Sequence, residues 1–221
     1  MRRSFLPGVL IPLIALSLAA HAAPLPDDPT QKQTDTLVAR LVSTNPRPTQ
    51  DRDGNWTPPA ATQDLYMTAE VKTAIEELQK SGPKIFPYLI KYMKDARYCY
   101  STTSSINGPP IPTWYDVTVG SVVMSVLSRY CEGGAGYIHR DSLSGKVYEP
   151  NFGNYIHEIG PDKWAHWASN KTRLAIALDF LDWAQKKEEK AGFTDAKQRQ
   201  WIESSFDKER EDLKKEHWDA Q

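Results

Sequence analysis

Cysteine is nearly missing from this chain: two residues, Cys99 and Cys131, in 221. Two thiols are too few for a structural zinc site of their own, and neither belongs to a CxxC redox pair. Familiar catalytic signatures are missing as well. There is no G-x-S-x-G nucleophile turn, no glycine-rich phosphate loop and no H-E-x-x-H pair. Charge of one sign is also lacking, since 27 Lys and Arg stand against 28 Asp and Glu. That balance offers no overall basic footprint for nucleic acid or an anionic membrane. Beyond the first residues no apolar run approaches membrane-spanning length.

What is present begins with an export pattern. Arg2 and Arg3 form a positive start, and Val9 to Ala20 is an apolar stretch too short to span a bilayer comfortably. Ala20 and Ala22 then place small residues at the −3 and −1 positions of a signal-peptidase site. The expectation is a signal peptide over 1–22, a mature chain from Ala23 and a periplasmic or secreted protein. An uncleaved N-terminal anchor competes with it, but Pro7, Pro12 and the small-residue exit favour removal. Arg2-Arg3-Ser4-Phe5-Leu6 also resembles a twin-arginine signal, a route that usually carries proteins folded around a cofactor, and no cofactor motif is seen. No cysteine follows the cleavage point, which excludes a lipoprotein anchor.

The rest divides into an arm, 23–63, and a helical domain, 64–221. Thr34 to Val42 reads as a short helix, whereas "NPRPTQDRDGNWTPPAATQ" (45–63) carries four prolines and reads as an extended segment pinning Trp56. Val71, Ile75 and Leu78 recur on one face over 68–81. Gly82 stops that helix and Pro83 opens the next, over "KIFPYLIKYMKDARYCY", with Ile85, Leu89 and Met93 on its apolar face. Residues 101–116 read as a loop stiffened by Pro109, Pro110 and Pro112. Val119, Val122, Val123, Val126 and Leu127 follow a helical rhythm, although so many valines leave a strand reading open. Residues 135–160 read as an irregular excursion with a small hairpin near Ser144-Gly145, and 162–169 as a helix. A helix over 172–191 is apolar on two sides and is expected to be central. The charged helix over 194–218 is expected to face solvent. The fold class expected is mainly α: an irregular helical bundle with long loops rich in aromatics, proline and glycine.

Within it, "LQKSGPKIFPYLIKYMKDARYCY…TVGSVVMSVLSRY" resembles a HEAT-type helical hairpin. The shared features are the Gly82-Pro83 entry, a proline inside the first helix, the Asp95-x-Arg97 turn and the small-residue start Val119-Gly120. The resemblance covers residues 68–132 in one copy, interrupted by 101–116, with no second copy at a fixed period. It implies antiparallel packing here and, through the family's habit, protein binding.

Chemistry-bearing residues are sparse. His139, His157 and His166 lack the spacing that puts two ligands on one helical face, and they serve equally as surface histidines. Asp51-Arg52-Asp53-Gly54-Asn55 mimics part of a calcium loop, but Ala60 stands where its bidentate acid belongs, so a plain turn accounts for it. No metal or cofactor is expected. Cys99 and Cys131 are a possible disulfide: an oxidising compartment favours bridging, while the length of a helix between them opposes it. Aromatics in irregular places supply the binding candidates Trp114, Tyr115, Tyr137, Tyr148 and Tyr155. They either bury themselves under their own loops or anchor a partner, another envelope or secreted protein. The functional expectation is an exported protein-binding module, of an immunity or scaffold type. The alternative is a cell-wall or carbohydrate-active hydrolase using Glu158 or Asp162.

Overall fold

The computed structural model describes residues 28–50, 56–57, 67–104, 113–132 and 151–215. The expected signal peptide, the calcium-like turn, and Tyr137, His139 and Tyr148 lie outside the described residues.

Helix dominates. Helix α1 (Pro29–Arg40) starts at Asp28, whose carboxylate accepts from Thr30 N at 2.8 Å. A minimal antiparallel pair, β1 (Thr49–Gln50) with β2 (Trp56–Thr57), follows in the arm. Helix α2 (Ala69–Lys80) is capped by Thr68 Oγ1, which accepts from Val71 N, and it buries Val71, Ala74 and Leu78. The capping oxygen satisfies one of the N–H groups a helix start leaves open. Gly82 then takes a φ of 72°, a region where a Cβ is strained, and turns the chain into Pro83.

The stretch after Pro83 departs from the single helix expected. It is a 3₁₀ turn (Pro83–Ile85), one α-turn, α3 (Phe86–Leu89), and another 3₁₀ turn (Ile90–Tyr92). Pro87 has no N–H to return to residue 83, so the α ladder is broken there. Tight i→i+3 bonds take over, among them Met93 N to Ile90 O at 3.2 Å and Asp95 N to Tyr92 O at 2.9 Å. The apolar face still packs as expected, with Ile85, Phe86, Leu89 and Ile90 buried.

A second departure follows. Residues 101–104 and 113–116 of the expected loop belong instead to an antiparallel ribbon, β3 (Tyr98–Ser104) with β4 (Thr113–Thr118). Its β-branched and aromatic residues favour extended pairing, which the intervening prolines obscured in the sequence. β4 runs directly into α4 (Val119–Glu132), so the helical reading of the valine-rich segment holds.

Helices α5 (Phe152–Ile159) and α6 (Pro161–Ala168) come next. α5 corrects the excursion expected to run to residue 160: Asn151 Oδ1 accepts from Asn154 N, and Phe152, Tyr155 and Ile156 form one buried face. α7 (Arg173–Ala191) is capped by Thr172, and α8 (Ala196–Lys215) ends the described chain.

Two cores meet along α7. The larger gathers Leu37, Val38 and Leu41 of α1, the buried faces of α2 and α4, Trp164, and Ile176 and Phe180 of α7. Ala177, Leu181 and Ala184, on the other side of α7, pack against Ile202, Phe206 and Leu213 of α8. The double-sided α7 is therefore central and α8 an outer helix with one buried stripe. Among the described residues no helix is long and apolar enough to cross a membrane.

Candidate functional site

Two surface features have a geometry that could serve a ligand: the β3–β4 ribbon and a basic concavity at the ends of three helices.

The ribbon pairs Ser104 with Thr113, Thr102 with Tyr115, Ser101 with Asp116 and Tyr100 with Val117. At its base Tyr98 pairs with Thr118, so Cys99 is an extra residue on β3, a bulge. A bulge changes which way successive side chains face, and here Tyr98 and Cys99 are both buried. A polar chain fixes the ribbon to the arm. Tyr98 Oη and Ser101 Oγ lie 2.8 Å apart, and Ser101 Oγ donates to Asp116 Oδ1 at 2.8 Å. Arg47 meets Asp116 Oδ2 at 3.3 Å while its guanidinium lies 5.0 Å over the Tyr98 ring. Tyr115, on the strand next to Asp116, is 50% exposed and is one of two large apolar residues so exposed among the described residues, with Trp201 of α8.

The concavity has a volume of about 550 Å³ and is lined by Glu76, Gln79, Lys80, Pro83, Arg129, Tyr130, Lys171, Thr172 and Arg173 among others. Lys80 and Arg129 end α2 and α4, and Arg173 begins α7. Arg173 Nη2 donates to Arg129 O at 3.3 Å, and the guanidinium sits 5.8 Å from the centre of the Tyr130 ring. Tyr130 Oη in turn donates to Gln79 O at 3.1 Å, tying the wall together. Burial and the neighbouring positive charge of Arg129 both hold the Arg173 guanidinium below its ordinary pKa.

The predicted binding residues do not assemble into one rim. Trp114 has its backbone paired opposite Thr103 and so belongs to the ribbon beside Tyr115. Tyr155 lies elsewhere, with 0% exposure in the core, donating to Asp179 Oδ2 at 2.5 Å and packed edge-on against Trp164, Phe180 and Trp183. It is an interior anchor with no surface to offer.

Cys99 and Cys131 are both buried and unbridged. Cys99 sits beside the start of α4, because Arg97 O accepts from Val119 N, whereas Cys131 sits at its far end. Twelve helical residues rise about 18 Å, well beyond disulfide reach. Burial pushes the Cys99 thiol up to about 12, which removes its nucleophilic form at neutral pH.

The hydrolase candidates are no better placed. Glu158 is exposed and paired with Lys187, and Trp183 Nε1 donates to it at 3.3 Å. The lysine holds its carboxyl below the ordinary range, opposite to what a general acid requires. Asp162 occupies the exposed first turn of α6, an ordinary place for a carboxylate. His157 and His166 are exposed on separate helices, α5 and α6.

Sequence reasoning missed the concavity altogether. Basic residues in a helix's last turn are usual dipole partners, so Lys80 and Arg129 gave no signal of convergence. The chain matches no protein-family model, no curated protein and no solved structure.

Proposed function

We propose that this protein is an exported binding module that engages another envelope or secreted protein through the β3–β4 ribbon. One observation carries the reading. Tyr115 stands half exposed on a ribbon whose base is fixed by the Tyr98–Ser101–Asp116–Arg47 chain. A tyrosine on a rigid support contributes contact area with little entropy lost on binding, which is how aromatic anchors act in interfaces. A two-stranded ribbon also offers backbone groups along its edges to an extended segment of a partner.

Export belongs to the same proposal, supported by the positive start, short apolar stretch and Ala20-x-Ala22 exit, and it predicts a mature N-terminus at Ala23. A HEAT-like ancestry for 68–132 is proposed on the roles its shared residues play: Gly82 and Pro83 make the entry, and Arg97 closes onto Asp95 at 2.6 Å.

The test is a photo-crosslinking amino acid at position 115, compared with one at position 201, in cells exporting the protein. A discrete adduct from 115 alone supports the reading. No adduct, or the same adducts from both positions, ends it.

A further inference from the structure

Helix α8 is held by one neighbour. Among the described residues α7 is the only element against which it packs extensively, and the larger core contains no residue of α8. The second core lies wholly on this pair and the turn that joins them. It consists of Ala177, Leu181 and Ala184 of α7 and Ile202, Phe206 and Leu213 of α8, with Phe193 of the turn at its edge. The polar ties are equally local. Arg210 Nη2 donates to Asp182 Oδ1 at 2.8 Å and also to Gln185 Oε1, and the guanidinium lies 5.9 Å from the centre of the Phe206 ring. Such a helix can leave without opening the main core, and every contact it makes with α7 is one that the α7 of a second copy offers too.

The turn, residues 192–195, controls that exchange. Gly192 takes a φ of 79° and a ψ of 166°, a conformation essentially restricted to glycine. Any other residue there strains the closed hairpin. Glycine also weakens the alternative, a single helix running from α7 through the turn into α8. Asp195 Oδ1 accepts from Gln198 N at 2.8 Å, and Gln198 Oε1 accepts from Thr194 N at 2.7 Å, so the turn is further held shut. The hairpin is therefore the resting form, and exchange requires the turn to straighten. We propose that α8 is exchangeable between copies of this chain, forming a two-fold, domain-swapped dimer in which each α8 occupies the α7 face of its partner. The structure itself shows what fits that face, since α8 already covers it. The exchange involves neither strand of the ribbon and does not depend on the partner-binding reading.

Gly192→Ala tests it, with the purified protein refolded at several concentrations and followed by analytical ultracentrifugation. A Cβ at 192 meets no atom within 4 Å, so the substitution strains the closed turn without a clash while favouring the continuous helix. Counted over both protomers, the dimerisation constant should rise at least about tenfold over that of the parent. Gly82→Ala is the control. Its φ is 72° and its Cβ is likewise unobstructed, but Leu78 and Ile85 on either side share the larger core, so it should not promote dimers. In the Gly192→Ala dimer, hydrogen exchange should show residues 192–195 gaining protection, with α7 and α8 as protected as in the monomer. A dimer formed by surface contact would leave 192–195 exchanging as before. If Gly192→Ala does not refold, the parent refolded at rising concentration takes its place and must give a dimer with the same exchange pattern. The proposal is overturned if no dimer forms, if Gly82→Ala raises association equally, or if the turn stays unprotected in the dimer.

Discussion

Tyr155 donates a 2.5 Å hydrogen bond to Asp179 Oδ2, joining α5 to α7 from a position where the tyrosine has no exposure to solvent. Its ring also contacts Trp164 at 6.4 Å and Phe180 at 5.3 Å, so one side chain unites the aromatic interior with the central helix. Tyr155→Phe keeps the ring and removes only the bond. A hydrogen bond to a charged group contributes about 1.5–3 kcal/mol. The melting temperature should therefore fall by about 3–10 °C for a chain of this size. An unchanged melting curve would show that the bond adds nothing net.

The same tyrosine gives a prediction at high pH. Burial first, and then the Asp179 carboxylate, raise its pKa well above the ordinary phenol value, and burial does likewise for Tyr100 and Tyr130. The folded state thus holds these protons more tightly than the unfolded chain. Their contribution is fully present below the unfolded phenol pKa of about 10 and declines as pH rises above it. Alkaline titration followed by tyrosinate absorbance should show these phenols ionising together with loss of helix. Smooth ionisation with the helix intact would refute the assignment.

Gly120 makes the tightest backbone approach of the described glycines. A Cβ there would stand 2.6 Å from Met93 O and 3.0 Å from Asp95 O, and Gly120 N donates to Asp95 O at 2.9 Å. Both obstacles are main-chain atoms that no rotamer change can move. Gly120→Ala should destabilise the protein by about 1–3 kcal/mol, as overpacking does elsewhere, despite alanine's better helix propensity. Urea denaturation showing equal or higher stability would contradict this packing.

These residues show what the sequence could and could not disclose. The buried faces of α2, α4 and α7 were legible because three or more apolar positions repeat at helical spacing over twelve residues or longer. The pattern of α5 is equally regular in Phe152, Tyr155 and Ile156, but it lasts only eight residues behind a glycine- and tyrosine-rich stretch. The ribbon was hidden differently. Tyr98 to Ser104 mixes aromatics with serine and threonine, and the bulge at Cys99 breaks the alternation by which a strand is recognised. Tyr115 was legible as a candidate because it is an aromatic in a segment that reads as irregular. Tyr155 carried the same signal and proved to be core, since composition alone does not say which way a side chain faces. The basic concavity requires α2, α4 and α7 to converge, which is tertiary information.

The Asp95–Arg97 turn makes stability sensitive to acid. Arg97 Nε donates at 3.0 Å and Nη2 at 2.6 Å to the Asp95 carboxylate, which holds its pKa below the ordinary value. A depressed carboxyl stabilises the fold above the unfolded pKa, about 3.9 for aspartate, and that contribution disappears as pH falls through the folded value. Asp95→Asn should accordingly lower stability at neutral pH and narrow its gap to the parent protein below about pH 4. A gap that stays constant with pH would mean that the ion pair contributes nothing beyond shape.

The two cysteines give the sharpest chemical prediction, because the proposed export and the geometry point in opposite directions. Export to an oxidising space favours a bridge. The fold separates the thiols by the length of α4, from the bulge at Cys99 to the last turn at Cys131, and buries both in the larger core. A bridge would require α4 to unwind or β3 to leave it, at a cost far above the few kcal/mol a disulfide typically contributes. Protein purified without reductant should therefore show no thiol accessible to an aromatic disulfide reagent while native. It should show two after unfolding in guanidinium. Burial explains the first result, and the elevated pKa of Cys99, about 12, reinforces it for that residue at neutral pH. Absence of thiols in the unfolded, unreduced protein, with no mass increase from small-thiol adducts, would mean the cysteines are bridged. The placement of β3 beside the start of α4 would then be wrong.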